Sequence, residues 1–593
     1  MSQTVGDFVL NRLRDWGVRR IFGYPGDGIN GLLAALGRQI ADDSKRLEFV
    51  QVRHEEEAAF MACGHARFTG EIGVCLATSG PGAVHLLNGL YDAKMDRKPV
   101  LALVGQTSRA ALGGSYQQEV DLAALLKDVA GEFVQTCTTP AQARHLIDRA
   151  MRTAAARRCV TALVFPNDVQ EADAVATPEH AHATVHSSAA YSEPLVVPLD
   201  EDLARAADIL NRGERVAMLV GAGAMGATQE VIDVADRLQA GVAKALLGKS
   251  VLSDDLPFVT GQIGLLGTKA SYQLMSECDT LLMVGSSFPY SEYLPKEGLA
   301  RGVQIDIDPT MLGLRYPVEC ALVGDAATTL RALLDRLEPK KPGRWRQRVE
   351  EASHTWWQEE EQRAQLEAQP LNPERFFWDL SPKIPEDALI SVDTGMSTTF
   401  FARAVRVRRG MPIAISGSLA TMGPALSYAT AGKFAFPQRP AIVLAGDGAM
   451  QMLGINGLIT VAKYWRHWTD PRFIIAVLNN GDLNMVSWEL RALGGAPKLP
   501  ETQDVPTFDY AGYARLLGLE GLMVDDPANV ASTIDQAMQC RRPVVIDVRA
   551  DPNVIALPPH ATFEQTKNFF AAMAKGDPDR YEVLKQLTKQ LVL

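Results

Sequence analysis

The sequence predicts an α/β protein with three doubly wound parallel-sheet domains and a C-terminal tail. Short apolar runs rich in branched residues, such as Val100 to Val104 and Ala441 to Ala445, alternate with helical patterns along the chain. Strands that are apolar throughout are typical of parallel sheets with helices on both faces. The length of 593 residues is too great for a single core and suggests about three or four domains.

The bulk composition is ordinary for a globular protein. Hydrophobic residues make up 47% of the chain and charged residues 22%. The formal net charge of −11, from 59 Lys plus Arg against 70 Asp plus Glu, argues against a nucleic-acid partner. The seven cysteines are scattered without metal-ligand spacing, as is typical of a reducing compartment. We find no signal-peptide pattern and no bilayer-length apolar stretch, so we expect a cytoplasmic protein.

The first α/β domain is expected at residues 1–180. A strand from Leu47 to Val52 runs into Arg53-His54-Glu55, and a strand from Gly73 to Ala77 runs into Thr78-Ser79-Gly80-Pro81-Gly82. Residues 171–198 then lose this periodicity. Their three histidines could bind a metal, but a solvated linker is the preferred interpretation.

The second α/β domain is expected at residues 190–340. Its strand Val216 to Val220 meets Gly221-Ala222-Gly223-Ala224-Met225-Gly226, a formal dinucleotide fingerprint. No convincing acidic residue closes the next strand, so a tight strand-to-helix turn is the preferred interpretation. Residues 339–357 are charged and predict a linker helix.

The third α/β domain, expected at residues 360–550, carries the most informative motif. One buried strand ends at Gly446-Asp447-Gly448, and the next, Phe473 to Leu478, ends at Asn479-Asn480-Gly481-Asp482. An Asp and an Asn at neighbouring strand ends can share Mg²⁺, which prefers oxygen ligands. Glycines beside the Asp let the backbone approach a diphosphate. The motif predicts a Mg-diphosphate site, and the alternative is two ordinary glycine-containing turns.

The whole pattern resembles the thiamine-diphosphate signature. The chain is similar to the pyruvate oxidase and pyruvate:quinone oxidoreductase group and, secondly, to acetolactate synthases. The resemblance implies a pyrimidine-binding domain, a central FAD-type domain and a diphosphate-binding domain. It also implies a homo-oligomer, as a dimer of dimers, in which the Glu55 domain of one subunit faces the Asp447 domain of another. The implied metal ligands are Asp447, Asn480 and Asp482, the last through its carbonyl.

The resemblance also implies the catalytic residues. Thiamine enzymes use a carboxylate that protonates N1′ of the aminopyrimidine, so that the 4′-imino group can take the proton from C2. Glu55, which follows a buried strand, matches it. Side chains facing the substrate map onto His85, Gln118 and Glu489. The alternatives are a core histidine at position 85 and a surface pair of Glu489 with Arg491.

The implied cofactor contacts fall into two sets. Those to thiamine diphosphate are Gly26, Gly395, Met396, Ser397, Ala420, Thr421, Met422, Gly446, Gly448, Ala449 and Met485. Those to FAD are Gly264, Leu265, Leu266, Ser286, Ser287, Phe288, Pro289, Tyr290 and Asp306. Asp306 would accept a ribose hydroxyl.

The implied reaction is decarboxylation of a 2-keto acid such as pyruvate, with electrons passing to FAD and then to quinone or oxygen. Gln117 stands where the group has a Phe before the substrate Gln, and Met485 where the quinone enzyme has an aromatic residue. Trp488 supports the alternative, a carboligase, because acetolactate synthases use a Trp near here to choose the second keto acid. The spacing after Asn480 is one residue shorter than theirs, which opposes that alternative.

The tail, residues 551–593, contains an apolar stripe at Tyr581, Leu584, Leu587 and Leu591 that predicts an amphipathic helix. In quinone-reducing relatives such a tail reaches the membrane, which would place this protein at the inner face. Acidic residues at positions 577, 579 and 582 oppose attraction to anionic lipid. Docking onto the protein's own surface, or disorder, is therefore the preferred interpretation.

Overall fold

Three parallel six-stranded sheets follow one another along the chain. The computed structural model describes residues 3–39, 46–408 and 410–592. Helices cover both faces of each sheet, and central strands such as Gly73–Ala77 and Val216–Val220 are buried along their whole length. This burial explains the uninterrupted apolar runs in the sequence, and it confirms the predicted α/β class.

The N-terminal sheet has the strand order β2-β1-β3-β4-β6-β5. Its strands are β1 Arg20–Gly23, β2 Glu48–Gln51, β3 Gly73–Ala77, β4 Val100–Gln106, β5 Val134–Thr136 and β6 Val160–Pro166. Its helices are α1 Val5–Asp15, α2 Asn30–Gln39, α3 Glu55–Thr69, α4 Pro81–His85, α5 Leu87–Met95, α6 Leu122–Leu125, α7 Ala143–Arg157 and α8 Asn167–Glu171.

The central sheet has the order β12-β11-β10-β7-β8-β9. Its strands are β7 Val216–Val220, β8 Gly241–Lys244, β9 Val259–Gln262, β10 Thr280–Val284, β11 Arg301–Asp306 and β12 Cys320–Val323. Its helices are α9 Asp200–Arg212, α10 Thr228–Leu238, α11 Lys269–Glu277 and α12 Ala326–Leu334, and α13 Arg344–Ala364 leads onward. The strand order reverses between β7 and β10, the place where such sheets form a ligand crevice.

The C-terminal sheet, β14-β13-β15-β16-β18-β17, repeats the topology of the N-terminal sheet. Its strands are β13 Leu389–Val392, β14 Ile413–Ile415, β15 Ala441–Gly446, β16 Phe473–Asn479, β17 Glu520–Val524 and β18 Val544–Arg549. Its helices are α14 Pro373–Leu380, α15 Met396–Ala404, α16 Ala425–Ala435, α17 Asp447–Ala449, α18 Ile455–Tyr464, α19 Asn484–Ala492, α20 Pro500–Gln503, α21 Tyr510–Leu516 and α22 Val530–Gln539. A π-helical turn, Met450–Gly454, joins α17 to α18.

The two segments that connect the domains have the predicted type of structure, but the helix in the second has different ends from those predicted. Between α8 and α9 the chain forms no helix and no strand longer than an isolated bridge, as expected for a linker. The predicted linker helix over residues 339–357 begins later, at Arg344, and ends at Ala364. Pro342 disfavours a helical residue before it, and Gly343 serves as the N-cap, so the helix cannot start earlier.

The tail forms two helices, α23 Phe563–Ala574 and α24 Arg580–Leu591, which pack on the C-terminal domain. The predicted stripe is offset from the buried face: Tyr581 and Leu591 are 73% and 69% exposed, whereas Val583 and Leu587 are buried. Gln586 lies on the buried face because it donates to the Asp551 carboxylate at 3.1 Å. In the described part of the chain, no helix has both the length and the hydrophobicity needed to cross a membrane.

Candidate functional site

Glu55 lies at the carboxyl end of β2, where it begins α3. His54 caps this helix through Nδ1, which accepts the Glu56 N–H at 3.2 Å. The Glu55 side chain is buried, and its Oε2 lies 2.9 Å from Nδ1 of His85. The His85 ring stacks on that of His54 with 4.4 Å between centroids, and its side chain is 43% exposed. A core histidine at position 85, the alternative interpretation, is therefore wrong.

The loop after β3 brings Gln118 to the same edge. Ser79 Oγ donates to Gln118 Oε1 at 2.9 Å, and a Cβ on Gly80 would lie 2.8 Å from the Gln118 Cβ. Gly80 has φ +58°, so both its conformation and its surroundings require glycine. A Cβ on Gly82 would lie 3.5 Å from Glu55 Oε1. Gly26 contacts the Thr78 side chain. This close contact is possible because glycine has no side chain.

Asp447 joins the ends of β15 and β16. Its Oδ2 accepts the N–H groups of Asn480 at 3.0 Å and Gly481 at 2.7 Å, and its Oδ1 accepts the Gly448 N–H at 2.8 Å. Burial raises the pKa of this carboxyl to about 6, despite these hydrogen bonds.

The Asp482 carboxylate is already committed to protein partners. It accepts hydrogen bonds from Asn484 and Ser487, both at 2.8 Å, and lies 3.2 Å from the Lys498 ammonium. Its main-chain carbonyl accepts the Asn484 N–H at 2.7 Å and has a second lone pair that a metal could use. Together with the Asp447 carboxylate and the Asn480 amide oxygen, it makes a set of hard oxygen donors of the kind Mg²⁺ prefers.

An open space lies next to Asp447. A Cβ built on Gly395 or on Gly446 would meet no heavy atom within 4 Å. Gly395, with φ +123°, caps α15, whose first residues are Met396 and Ser397. A helix N-terminus presents free N–H groups and a partial positive charge, which together suit a phosphate.

The loop from Ser416 to Ala425 is held at three points. Asp96 of the N-terminal domain accepts the N–H groups of Gly417 and Ser418, both at 2.8 Å. Asn88 donates to Thr421 Oγ1 at 3.0 Å and to Glu56 at 2.6 Å, and so links the loop to the residue beside Glu55.

At its far end the loop is bound by the buried carboxylate of Asp393. This carboxylate accepts the Gly423 N–H at 2.8 Å and the Ala425 N–H at 3.2 Å. Within the loop, Ala420 has φ +52°, and the Met422 Cε lies 3.2 Å from the position of a Cβ on Gly448. The loop therefore packs directly against the glycine that follows Asp447.

The residues predicted to contact FAD lie together at the carboxyl ends of β9, β10 and β11. A Cβ on Gly264, with φ +104°, would lie 2.9 Å from the Phe288 ring, which packs edge-on against Tyr290 at 5.5 Å. One Asp306 oxygen accepts the Asp308 N–H at 3.0 Å, and burial raises the pKa of this carboxyl. The other predicted members are Leu265, Leu266, Ser286, Ser287 and Pro289.

The glycines of the formal fingerprint have a packing role. A Cβ on Gly223 would lie 2.7 Å from the Gly285 Cα, and a Cβ on Gly221 would lie 2.4 Å from the Gly285 carbonyl oxygen. The first turn of the domain is therefore pressed against the end of β10, as expected for a tight strand-to-helix turn.

Helix α19 divides its residues between solvent and the tail. Glu489 is exposed, and so is Val486, three residues earlier on the same face. Arg491 is buried and pairs with Asp577 and Asp579, so the proposed surface pair with Glu489 is wrong. Trp488 faces the tail as well, since it stacks on Phe569 with 6.1 Å between centroids.

Comparison with known proteins identifies this architecture. Residues 3–125 match the thiamine pyrophosphate enzyme N-terminal TPP binding domain, residues 203–333 the central domain and residues 393–548 the C-terminal TPP binding domain. YdaP of Bacillus subtilis, named as a thiamine pyrophosphate-containing protein, is 35% identical over 593 residues, which cover 99% of each chain. The chain belongs to the thiamine pyrophosphate enzyme family.

Other thiamine pyrophosphate enzymes similar to this chain carry two different activity names. Pyruvate oxidase of Lactiplantibacillus plantarum is 31% identical over 77% of this chain and 75% of its own. Acetolactate synthase of Arthrospira platensis is 29% identical over 93% of this chain and 94% of its own. These two relatives are thus named for the two reactions that the sequence leaves open.

Thiamine diphosphate fits the residues present in this family member. Gly395, at the N-terminus of α15, and Gly446, next to Asp447, each leave room beside them, and a helix N-terminus and oxygen donors are the groups that bind a metal-bound diphosphate. The positioning residue Asp96 was missed by sequence reasoning. Asp96 belongs to no motif, and only its distant partners reveal its role.

Proposed function

We propose that this enzyme decarboxylates a 2-keto acid such as pyruvate, using thiamine diphosphate and Mg²⁺, and passes the electrons to FAD and then to quinone or oxygen. One observation carries the proposal. The N-terminal domain places the buried Glu55 beside His85, and the C-terminal domain places the Asp447 carboxylate beside the Asn480 N–H. One chain thus carries residues suited to proton transfer and residues suited to a diphosphate-metal site, and the two sets would meet between subunits in the homo-oligomer proposed below.

Each side chain has a distinct task in this reaction. When bound, thiamine diphosphate supplies a carbon centre that adds to the keto group and holds the electrons left when CO₂ departs. Glu55 is buried beside His85, where it can hold and release a proton away from bulk water. Because Gln118 Oε1 is occupied by Ser79, its amide N–H₂ is left to donate to the substrate carboxylate.

The C-terminal domain binds the charged end of the cofactor. Asp447, Asn480 and the Asp482 carbonyl would hold Mg²⁺, and the N-terminus of α15 would bind phosphate oxygens. Met422 lies on the loop that is fixed by Asp96 and Asp393, and its side chain would contact the cofactor and hold it in its bound conformation.

FAD would occupy the crevice of the central domain and accept two electrons. Asp306 at the end of β11 is suited to accept ribose hydroxyls, because only one of its oxygens accepts a hydrogen bond among the described residues. Tyr290 is half exposed and offers an aromatic surface next to Phe288.

A carboligase of the acetolactate synthase type is the second candidate. The length of the match to Arthrospira platensis acetolactate synthase, 93% of this chain, favours it. The orientation of Trp488 opposes it. This ring stacks on Phe569 and donates to Asn484 at 3.2 Å, so it is turned toward the tail. We therefore favour the oxidase.

The homo-oligomer stays part of the proposal. The resemblance implies that Glu55 of one subunit faces Asp447 of another, in a dimer of dimers. Sedimentation of the purified protein tests this, because a fully active monomer would contradict it.

The deciding experiment is an absorption spectrum of the purified protein followed by product analysis with pyruvate. We expect flavin bands, bleaching of these bands by pyruvate without oxygen, and acetate or an acetyl product. Asp447→Ala should abolish the bleaching because the cofactor is lost. Acetolactate without bleaching would replace the oxidase by the carboligase. No product of either kind would refute pyruvate as substrate.

A further inference from the structure

A cavity of about 620 Å³ lies at the edge of the N-terminal sheet opposite to Glu55. Its walls come from the segments that precede β1, β3 and β4, from the end of α7, and from linker residues Tyr191 and Glu193. Glu55 and Gln118 lie at the carboxyl ends of the strands, so this cavity is separate from the catalytic edge. Its volume is in the range of small-molecule sites.

The lining of the cavity is basic although the protein as a whole is acidic. The cations are Arg19, Arg20, Arg97, Lys98 and Arg158, and the carboxylates belong to Asp15, Glu71 and Glu193. Five cations against three carboxylates leave an excess of two positive charges, with His65 counted as neutral. The whole chain carries −11. A local excess of this sign attracts anions.

Three of the five cations already have carboxylate partners within 3.1 Å. Lys98 and Arg19 differ. In residues 3–39, 46–408 and 410–592, neither side chain makes a hydrogen bond or an ion pair. Arg19 is exposed at the rim, and Lys98 is partly buried. Two unpaired cations thus face one cavity.

The surroundings of Lys98 explain why it lacks a protein partner. Desolvation lowers the pKa of its ammonium group, and the nearby Arg67 lowers it further. The carboxylate that acts on Lys98, Asp96, already accepts hydrogen bonds from Arg67 at 2.7 Å and from the N–H groups of Gly417 and Ser418. A partly buried charge without a partner is costly, and an anion in the cavity would remove that cost.

We propose that this cavity binds a small phosphate monoester, with Lys98 and Arg19 as its charge partners. Phosphate is a suitable group because it accepts several hydrogen bonds from cationic donors. The volume exceeds that of a phosphate alone, and Trp16 and Tyr191 in its wall provide apolar surface for an attached organic group. The site is independent of the proposed reaction.

The test is calorimetric titration of the full-length protein saturated with thiamine diphosphate and Mg²⁺. Inorganic phosphate and adenosine monophosphate are the two probes, and they distinguish free phosphate from a phosphate ester. We expect saturable binding that is about tenfold weaker in Lys98→Gln and severalfold weaker in Arg19→Gln. The matched control, Lys127→Gln, removes an exposed cation of the same domain outside the cavity and should bind like the native protein.

Two results would overturn the proposal. One is the absence of saturable binding for both probes. The other is equal affinity in the native protein and in Arg19→Gln, because binding would then occur elsewhere, including at the cofactor sites. Arg19 is exposed, so its variant remains informative even if Lys98→Gln does not fold.

Discussion

The carboxylate of Asp96 accepts the backbone N–H of Gly417 at 2.8 Å, although the two residues are 321 positions apart. The same oxygen, Oδ2, also accepts a hydrogen bond from Arg67 at 2.7 Å. Arg67 lies on α3, the helix that begins at Glu55, and Gly417 begins the loop that carries Met422. This contact therefore fixes the spacing between the proton-transfer edge and the loop next to Asp447.

Asp96→Asn should weaken thiamine diphosphate binding about tenfold. Each oxygen of the Asp96 carboxylate accepts one of the two N–H groups. In the variant an amide N–H₂ replaces one of these oxygens, so at least one hydrogen bond is lost and two donors face each other. Titration of intrinsic tryptophan fluorescence with the cofactor and Mg²⁺ measures the affinity. Glu132→Gln, an exposed carboxylate of the same domain, is the control. An unchanged affinity would show that the loop is positioned without Asp96.

Glu55→Gln should lower turnover about a hundredfold or more while the cofactor still binds. A glutamine keeps the shape of the side chain but cannot transfer a proton, and such losses typically cost about a hundredfold to ten-thousandfold. Glu56→Gln is the matched control, since its Oε1 can still accept from Asn88. Steady-state rates and cofactor affinity should be measured on both variants. Equal rates for the two would remove Glu55 from the mechanism.

The motifs that the sequence revealed are local ones. Asp447 and Asn480 each follow a buried strand directly, and the parallel register of β15 with β16 brings the two strand ends together. Knowledge of strand order suffices to predict this, because the carboxyl ends of parallel strands meet at one edge. The same reasoning places Glu55 correctly at the end of β2.

What the sequence did not reveal depends on contacts between distant segments. Asp96 sits in an ordinary helix, and its partners lie in another domain. In the tail, Gln586 and Val583 line the buried face, whereas the apolar Tyr581 points outward. Gln586 is buried because it donates to Asp551, which is distant in sequence. The spacing of apolar residues cannot predict a buried face that includes such a glutamine. Tertiary hydrogen bonds override hydrophobic periodicity at such positions.

The unfolding free energy should fall as the pH rises from about 4.5 to about 7, owing to Glu57. Burial raises the pKa of this carboxyl to about 7, although it accepts hydrogen bonds from the Arg53 N–H and from Thr460. The folded-state pKa lies above the unfolded one, so the native state is favoured by protonation. The cost of ionisation is absent below about pH 4.5 and complete above about pH 7, on the order of 3 kcal/mol.

Glu57→Gln isolates this contribution, because glutamine does not titrate. Thermal unfolding midpoints should be measured at pH 5 and pH 8. The midpoint of the variant, relative to that of the native protein, should be higher at pH 8 than at pH 5. Glu351→Gln, at an exposed position of α13, should show no such gain. A constant difference between Glu57→Gln and the native protein at both pH values would contradict the prediction.

Asp577→Asn should detach the tail from the C-terminal domain. Arg491 is fully buried, and the Asp577 carboxylate accepts from its Nε at 2.8 Å and its Nη2 at 2.9 Å. The variant leaves the buried Arg491 with Asp579, at 3.0 Å and partly exposed, as its remaining carboxylate partner. Breaking a buried ion pair costs about 3–5 kcal/mol when no partner remains, so this is the upper bound of the expected loss. The other attachments of the tail are a small apolar cluster around Val583 and Leu587 and single hydrogen bonds such as that of Gln586 to Asp551. We therefore expect faster proteolysis within residues 556–580.

Glu582→Gln is the control for this experiment. Glu582 pairs with Lys585 at the surface, where a salt bridge contributes about 0–1 kcal/mol, so the rate of proteolysis should not change. Because α19 packs against α23 through Trp488 and Phe569, release of the tail should also lower turnover by disturbing Glu489 on the exposed face of α19. If Asp577→Asn and Glu582→Gln are cleaved at the same rate, Arg491 does not anchor the tail. If cleavage accelerates while turnover is unchanged, the tail is anchored by Arg491 but does not support the catalytic face of α19.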